Sequence, residues 1–472
     1  MTPDETCRLG LAEVAGAIAA RRLTSRAVTE ACLERIGRLQ PALNAFIAVD
    51  AEGALAAADD ADRALSNGHR PGPLHGVPLA HKDMFYRIGR ICTGGSAILG
   101  EAPPAVTATV MRRLDAAHAV DLGTLNMAEF AAGPTGHNEH FGDCRNPWHT
   151  DHVTGGSSSG AGAGVAARLF FGALGSDTGG SVRLPAGACG LTGIKPTWGR
   201  VSRFGCIPRS WSLDCIGPLA RSARDAARLL AAIAGPDPDD PTAAQETVPD
   251  YEASLERGIG GLRIGVPDER FLDGVTAEVA AAHTESIRAL RALGAEIVDV
   301  ELPDPAPLAD LGNIISKSEA AAAHLHWMRS RPADYSPQVH ARTEGGMHIP
   351  AALYLRALAR RGPVLQDFAR QVFSKVDVVH APVIPMPVPT RAETDVQVSA
   401  NVPAMVGALT RFTRPFNYLG LPSVAMPCGF DGKGLPIAFQ LVGRPFAEAT
   451  LLRAANAYQG ATDWHRREPA LD

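Results

Sequence analysis

Three segments hold small, polar and basic residues in patterns that chemistry can use: HGVPLAHKDMF over 75–85, TGGSSSGAGAGVAARL over 154–169 and GSDTGGSVRLPAGACG over 175–190. Each has an ordinary reading alone. A lysine in an apolar run commonly ends a strand or makes an ion pair, a GGSSSGAGAG tract commonly forms a flexible linker, and DTGGS commonly makes a turn. Taken together, glycine clusters flanked by apolar helix-like and strand-like stretches point to rigid places of close approach. Cleaving an amide needs a nucleophile, a base for its proton, an acid for the departing nitrogen and donors for the oxyanion. None of the fifteen histidines sits in a recognisable nucleophile motif such as G-x-S-x-G, which leaves Lys82 as the candidate base.

The three segments resemble the amidase-signature family. Its Ser-Ser-Lys triad is marked by a lysine in a G-[VI]-P-[LI]-x-x-K-D run, a first serine after paired glycines and a second serine closing D-T-G-G-S. Those positions here are Lys82, Ser157 and Ser181, 75 and 24 residues apart. The resemblance continues through GTLNMAEFA, HFGDCRNPW, GLTGIKPTWGRVSRFG, SLDCIGPLARSARDAA, FNYLGLPSVAMPCGF and GLPIAFQLVGRPFAEATLLRAA, about two thirds of the chain. It implies an α/β fold with one large mixed, largely doubly wound sheet covered by helices on both faces, and a cis peptide bond before Ser157. It also implies a reaction. Ser181 attacks the carbonyl, Ser157 passes the proton to neutral Lys82, the relay returns it to the leaving nitrogen, and water resolves the acyl-enzyme. Lys82 must then titrate well below its ordinary value of about 10.4, which burial in an apolar strand supplies.

A glycine-rich turn lets several amides converge on one atom, so the backbone N–H groups of Thr178, Gly179, Gly180 and Ser181 are the expected oxyanion donors. Ser176, Asp177 and Arg183 are expected to support that turn, the last two as an ion pair. His81, just before the lysine, departs from the apolar residue usual in the family, and strand alternation turns it away from Lys82. Expected pocket residues are Phe85, Tyr86, Ala131, Ala132, Gly133, Pro134 and Ser158, together with side chains from 305–375. Being small or apolar, they point to neutral amides, including aryl amides, and to carbamates or urethanes and ureas, which present the same carbonyl with a nitrogen leaving group.

Other readings compete. One branch of the family releases ammonia from glutamine as a subunit of the tRNA-dependent amidotransferase, and this chain is similar to it through much of the core. Where that branch carries an acidic residue for the glutamine amino group, this chain has Thr410, ahead of Thr413 and Asn417; its R-R-x-x-L-G segment is also missing, ALYLRALARRG standing near 352–362. A free-standing hydrolase is therefore favoured over that branch and over a structural or ammonia-channel subunit. Cys144 with Glu129 raises a Cys-Glu-Lys amidase of the nitrilase kind, but GDCRNPW resembles no nucleophile site. GAGAG at 160–164 lacks the preceding strand that a dinucleotide site needs.

The elements that must position these residues follow from the pattern. VPLAHK, AVDLGTLN and FFGALGSD read as strands alternating with helical stretches such as TATVMRRLDAA, an α/β arrangement. Residues 10–40 read as two helices, the second with Val28, Cys32, Ile36 and Leu39 at helical spacing after a Thr24-Ser25 capping signal. A Pro- and Asp-rich break over 235–249 precedes GLRIGVP, a helix near 276–293 and AEIVDVELP; 305–375 is helical in character, and strand-like runs return at VVHAPVIP. The chain reads as a single domain over 1–472: N-terminal helices at 1–60, a catalytic core at 61–235, a variable pocket region at 236–375 and completion of the core at 376–472.

With 46% hydrophobic and 20% charged residues, the chain is globular, and its net charge of −5 gives no general pull toward nucleic acid or anionic membrane. Eight scattered cysteines show neither a C-x-x-C pair nor zinc-type spacing, and read as reduced thiols. No metal or cofactor is expected. The N-terminus lacks a signal-peptide pattern and no apolar run reaches bilayer length, so a cytoplasmic monomer or homodimer acting on a small-molecule amide or carbamate is expected.

Overall fold

The computed structural model describes residues 1–471. Its frame is one sheet of eleven strands. In chain order these are β1 (Phe46–Val49), β2 (Pro78–Lys82), β3 (Val120–Leu125), β4 (Gly172–Asp177), β5 (Thr192–Lys195), β6 (Cys215–Ala220), β7 (Arg263–Pro267), β8 (Glu296–Val300), β9 (Val378–Pro382), β10 (Ser423–Phe430) and β11 (Pro436–Gly443). Across the sheet they run β1-β3-β2-β4-β6-β5-β10-β11-β9-β7-β8. The β3–β2, β2–β4, β9–β7 and β7–β8 pairs are parallel. The rest, including the central β5–β10 pair that joins the two flanks, are antiparallel.

Sequence and position agree along this sheet. β2 and β4 are buried at every residue, as parallel strands covered on both faces require, whereas the edge strands β1 and β8 are partly exposed. The stretches expected at 77–82, 119–126 and 170–177 form β2, β3 and β4, and the helix read near 276–293 spans Ala277–Ala292. At the N-terminus the chain makes three helices, Pro3–Arg8, Leu11–Ala19 and Ser25–Leu43. The last is capped by Thr24, whose side chain accepts from the Ala27 amide at 3.0 Å, and it buries Val28, Cys32, Ile36 and Leu39. Helices Pro305–Ser330, Pro337–Met347 and Ala351–Phe368 fill the stretch after β8.

The glycine- and serine-rich tract is no linker. Ser159–Ala166 is a helix with every residue buried. A Cβ on Gly160 would fall 2.2 Å from the Ala45 carbonyl oxygen, and one on Gly164 would fall 2.4 Å from the Phe170 ring. Backbone and ring approach more closely here than any side chain permits, which is the reason for glycine inside a helix that its low propensity disfavours. No helix of the described residues is long and apolar enough to cross a membrane.

Candidate active site

Lys82 is the last residue of β2, and the parallel neighbour β4 ends at Asp177, so the lysine and the 178–182 turn emerge at the same end of the sheet. Lys82 is 1% exposed. Its Nζ lies 2.7 Å from Ser157 Oγ and 2.9 Å from Ser176 Oγ. Burial brings this amine down from 10.5 to about 7, against the opposing charges of Asp214 and Asp177, so its neutral form is accessible near neutral pH. Ser157 is fully buried, the Gly156–Ser157 bond is cis, and the Ser157 carbonyl accepts from the Ala128 amide at 3.1 Å. A Cβ on Gly156 would sit 2.7 Å from the Gly133 carbonyl, which ties this turn to the 131–134 loop.

The turn holding Ser181 is braced from beneath. Asp177 and Arg183 are both fully buried and pair at 3.0 Å. The Asp177 carboxylate also accepts from the Gly180 amide at 2.8 Å, the Val182 amide at 3.1 Å and Asn417 Nδ2 at 2.8 Å. Burial would push Asp177 up, but the Arg183 guanidinium and these hydrogen bonds hold its carboxyl well below the usual carboxylate range. Arg183 in turn donates to Gln440 Oε1 at 2.8 Å and Asn417 Oδ1 at 2.6 Å. Thr178 Oγ1 donates to Asp214, and Thr413 Oγ1 donates to the Gly179 carbonyl at 2.7 Å.

One expected oxyanion donor is therefore corrected. The Gly180 amide is occupied by Asp177, because a carboxylate at the start of a tight turn captures the N–H three residues on. The amides of Thr178, Gly179 and Ser181 have no protein acceptor among the described residues.

Ser181 and the 178–179 turn border a cavity of about 580 Å³, which Ala131, Ala132, Gly133 and Pro134 also line. Phe85, Tyr86 and Ser158 do not line it. Beyond Lys82 the chain turns back into the core: Phe85 bridges to Cys206, and the Tyr86 amide donates to the Gly205 carbonyl. Ser158 Oγ is taken up by the Ser176 amide and carbonyl, both at 3.3 Å. The apolar lining read from sequence is also incomplete, since Arg209, Arg342, Arg414 and Lys317 face the same space. No sequence signal marked these residues, nor Asn417 and Gln440 as braces, because their partners lie far away along the chain.

The remaining candidates have other tasks. His81 is buried, accepts from the Leu174 amide at 3.2 Å and falls to about 4 through burial, so it is neutral. Cys144 is buried with its thiol pushed up, the reverse of an activated nucleophile. Glu129 accepts from Ser96 and from the Ser336 amide and hydroxyl. Among the described residues, His69, His75 and His118 bring ring nitrogens within 4.8 Å of one another. They precede β2 and β3, at the end of the strands opposite Lys82, and take no part in this site.

The family model for Amidase matches residues 27–452. The chain belongs to the amidase family. It is 41% identical to a glutamyl-tRNA(Gln) amidotransferase subunit from Roseiflexus sp. (strain RS-1), with 98% of each chain covered. Among solved structures it matches a chain of a vestigial complex tied to the evolutionary origins of an s-triazine catabolic enzyme, with a TM-score of 0.89, 37% identity and coverage of 96% and 98%. It also matches the peptide amidase of Stenotrophomonas maltophilia, with a TM-score of 0.85, 30% identity and 98% coverage of both chains. This amidase-family chain is thus a hydrolase of carbon–nitrogen bonds with the mixed sheet of its relatives.

Proposed function

We propose that the chain hydrolyses an amide through an acyl-enzyme on Ser181. Neutral Lys82 takes the proton of Ser157 as Ser157 takes that of Ser181, and Ser181 Oγ bonds to the carbonyl carbon. The free amides of Thr178, Gly179 and Ser181 face the developing oxyanion. The proton returns from Lys82 through Ser157 to the nitrogen as the C–N bond breaks, and water then attacks the acyl carbon by the same relay, releasing the acid and restoring Ser181. The contact of Lys82 Nζ with Ser157 Oγ at 2.7 Å, in a site that holds the lysine at about 7, carries this reading.

A second reading, ammonia release from glutamine as part of a tRNA-dependent amidotransferase, is supported by the 41% identity over nearly the whole of both chains. Both use the same chemistry at Ser181; they differ in substrate and in need of a partner. The test is ammonia or amine release by the isolated chain from a simple aliphatic amide, an aryl amide, an aryl carbamate and glutamine, with Ser181→Ala alongside. Turnover of a small amide that disappears in Ser181→Ala supports the free-standing hydrolase. Turnover of glutamine alone, rising when the other amidotransferase components are added, supports the second reading. Equal activity in Ser181→Ala would sink both.

A further inference from the structure

Three arginines from separate stretches face the cavity beside Ser181: Arg209 from the loop before β6, Arg342 from helix Pro337–Met347 and Arg414 from the short helix Arg414–Tyr418. Among the described residues none pairs directly with a carboxylate, although Asp214 acts on Arg209 and Asp310 on Arg414 from beyond ion-pair distance. Arg342 donates to the Ala132 carbonyl and Arg414 to Asn313 Oδ1, both neutral acceptors, while Nη1 of the buried Arg209 has no partner at all. Burial first, and then the charge of their arginine neighbours, pulls Arg342 and Arg414 down to about 10, so both stay protonated at neutral pH. Lys317 also lines the cavity, and among the described residues no aspartate or glutamate does.

The charges sit close to the reacting end. A Cβ on Gly179, two residues before Ser181, would lie 3.3 Å from Arg414 Nε, and one on Gly133 would lie 3.4 Å from Arg342 Nη1. Like charges gathered in a partly desolvated space destabilise the protein unless a counter-charge arrives, so a fold that keeps them reserves the place for an anion. We infer that the substrate of the proposed hydrolase is an amide bearing a carboxylate, held by Arg209, Arg342 and Arg414, and lacking an ammonium group beside it. The second clause follows from the lack of an acidic lining residue among the described residues: Thr410, on the cavity wall, donates its hydroxyl to the Val406 carbonyl at 2.9 Å and brings no negative charge to an amino group. The inference rests on Ser181 chemistry but is read separately from it.

Binding to Ser181→Ala, measured by calorimetry, tests it with four probes: succinamate, with the carboxylate on the acyl part; N-butyrylglycine, with the carboxylate on the leaving part; butyramide; and glutamine. One of the two carboxylate amides should bind about 100-fold more tightly than butyramide and glutamine, and which one does so fixes the side of the scissile bond that faces the arginines. Adding Arg342→Gln or Arg209→Gln should collapse that preference to below about 10-fold, Arg342→Lys should restore part of it, and circular dichroism checks that each variant folds. Equal binding of all four probes, tighter binding of glutamine, no binding of either carboxylate amide, or a preference untouched by both arginine variants overturns the inference. Turnover by the unmodified enzyme separates the two claims. Butyramide cleaved as fast as the carboxylate amides defeats the inference alone, and tight binding of those amides without any cleavage defeats the hydrolase reading alone.

Discussion

Replacing Lys82 with methionine should disable the enzyme and stabilise its fold near neutral pH. The amine titrates at about 10.5 in the unfolded chain and at about 7 in the folded one. Between those values the unfolded chain binds a proton that the folded protein excludes, so each pH unit in that window is worth about 1.4 kcal/mol. The sign is that of a depressed folded pKa: the burden on the fold is absent above 10.5 and complete below about 7. At pH 7.5 it amounts to about 4 kcal/mol, and at pH 9.5 to about 1.4 kcal/mol. Methionine fills nearly the same volume without charge, but forfeits the hydrogen bonds to Ser157 and Ser176, at about 1 kcal/mol each. Lys82→Met should therefore be about 2 kcal/mol more stable than wild type at pH 7.5 and slightly less stable at pH 9.5. Urea denaturation followed by tryptophan fluorescence at pH 7.5, 8.5 and 9.5 measures that crossing, with groups distant from the lysine cancelling between the two proteins. A stability difference that stays flat across this range would show that Lys82 is charged in the native protein, and so is no base.

Two further outcomes follow from the same geometry. Since neutral Lys82 is the proposed acceptor, kcat/KM should rise with pH through about 7, about tenfold per unit below it, and level off above; a rate that falls through this range refutes the assignment. Arg183→Met leaves the Asp177 carboxylate buried without its cation and should cost about 3–5 kcal/mol in chemical denaturation along with Ser181 activity; a loss below about 1 kcal/mol would mean that Asn417 and the turn amides suffice to hold the charge.

What the sequence made legible was local. Lys82, Ser157 and Ser181 stand in short patterns whose glycines and apolar neighbours announce both the close approach and the strand or helix beside it. Elements β2, β3 and β4 were readable for the same reason, being short apolar runs bounded by turn residues. The braces were not readable. Asn417 meets Asp177 across 240 residues and Gln440 meets Arg183 across 257, and no local pattern encodes a meeting at that range. The basic lining was hidden likewise, because Arg209, Arg342 and Arg414 are ordinary arginines until three separate segments turn them into one space. Phe85 and Tyr86 mislead in the opposite way: they adjoin Lys82 in sequence, but the backbone turns after the lysine and sends them to the core. The Gly180 amide misleads because an aspartate that supports a turn also competes for its N–H groups.

The dependence of the nucleophile turn on Asn417 and Gln440, and of the sheet on the β5–β10 junction, sets an order of events during synthesis. Lys82, Ser157 and Ser181 are all translated by residue 181, yet Asn417 and Gln440, which hold Asp177 and Arg183 in place, follow only more than two hundred residues later. The turn that carries Ser181 therefore stays without its far braces until the last strands are made and slot between the two flanks, so a chain cut short before them lacks the support from behind.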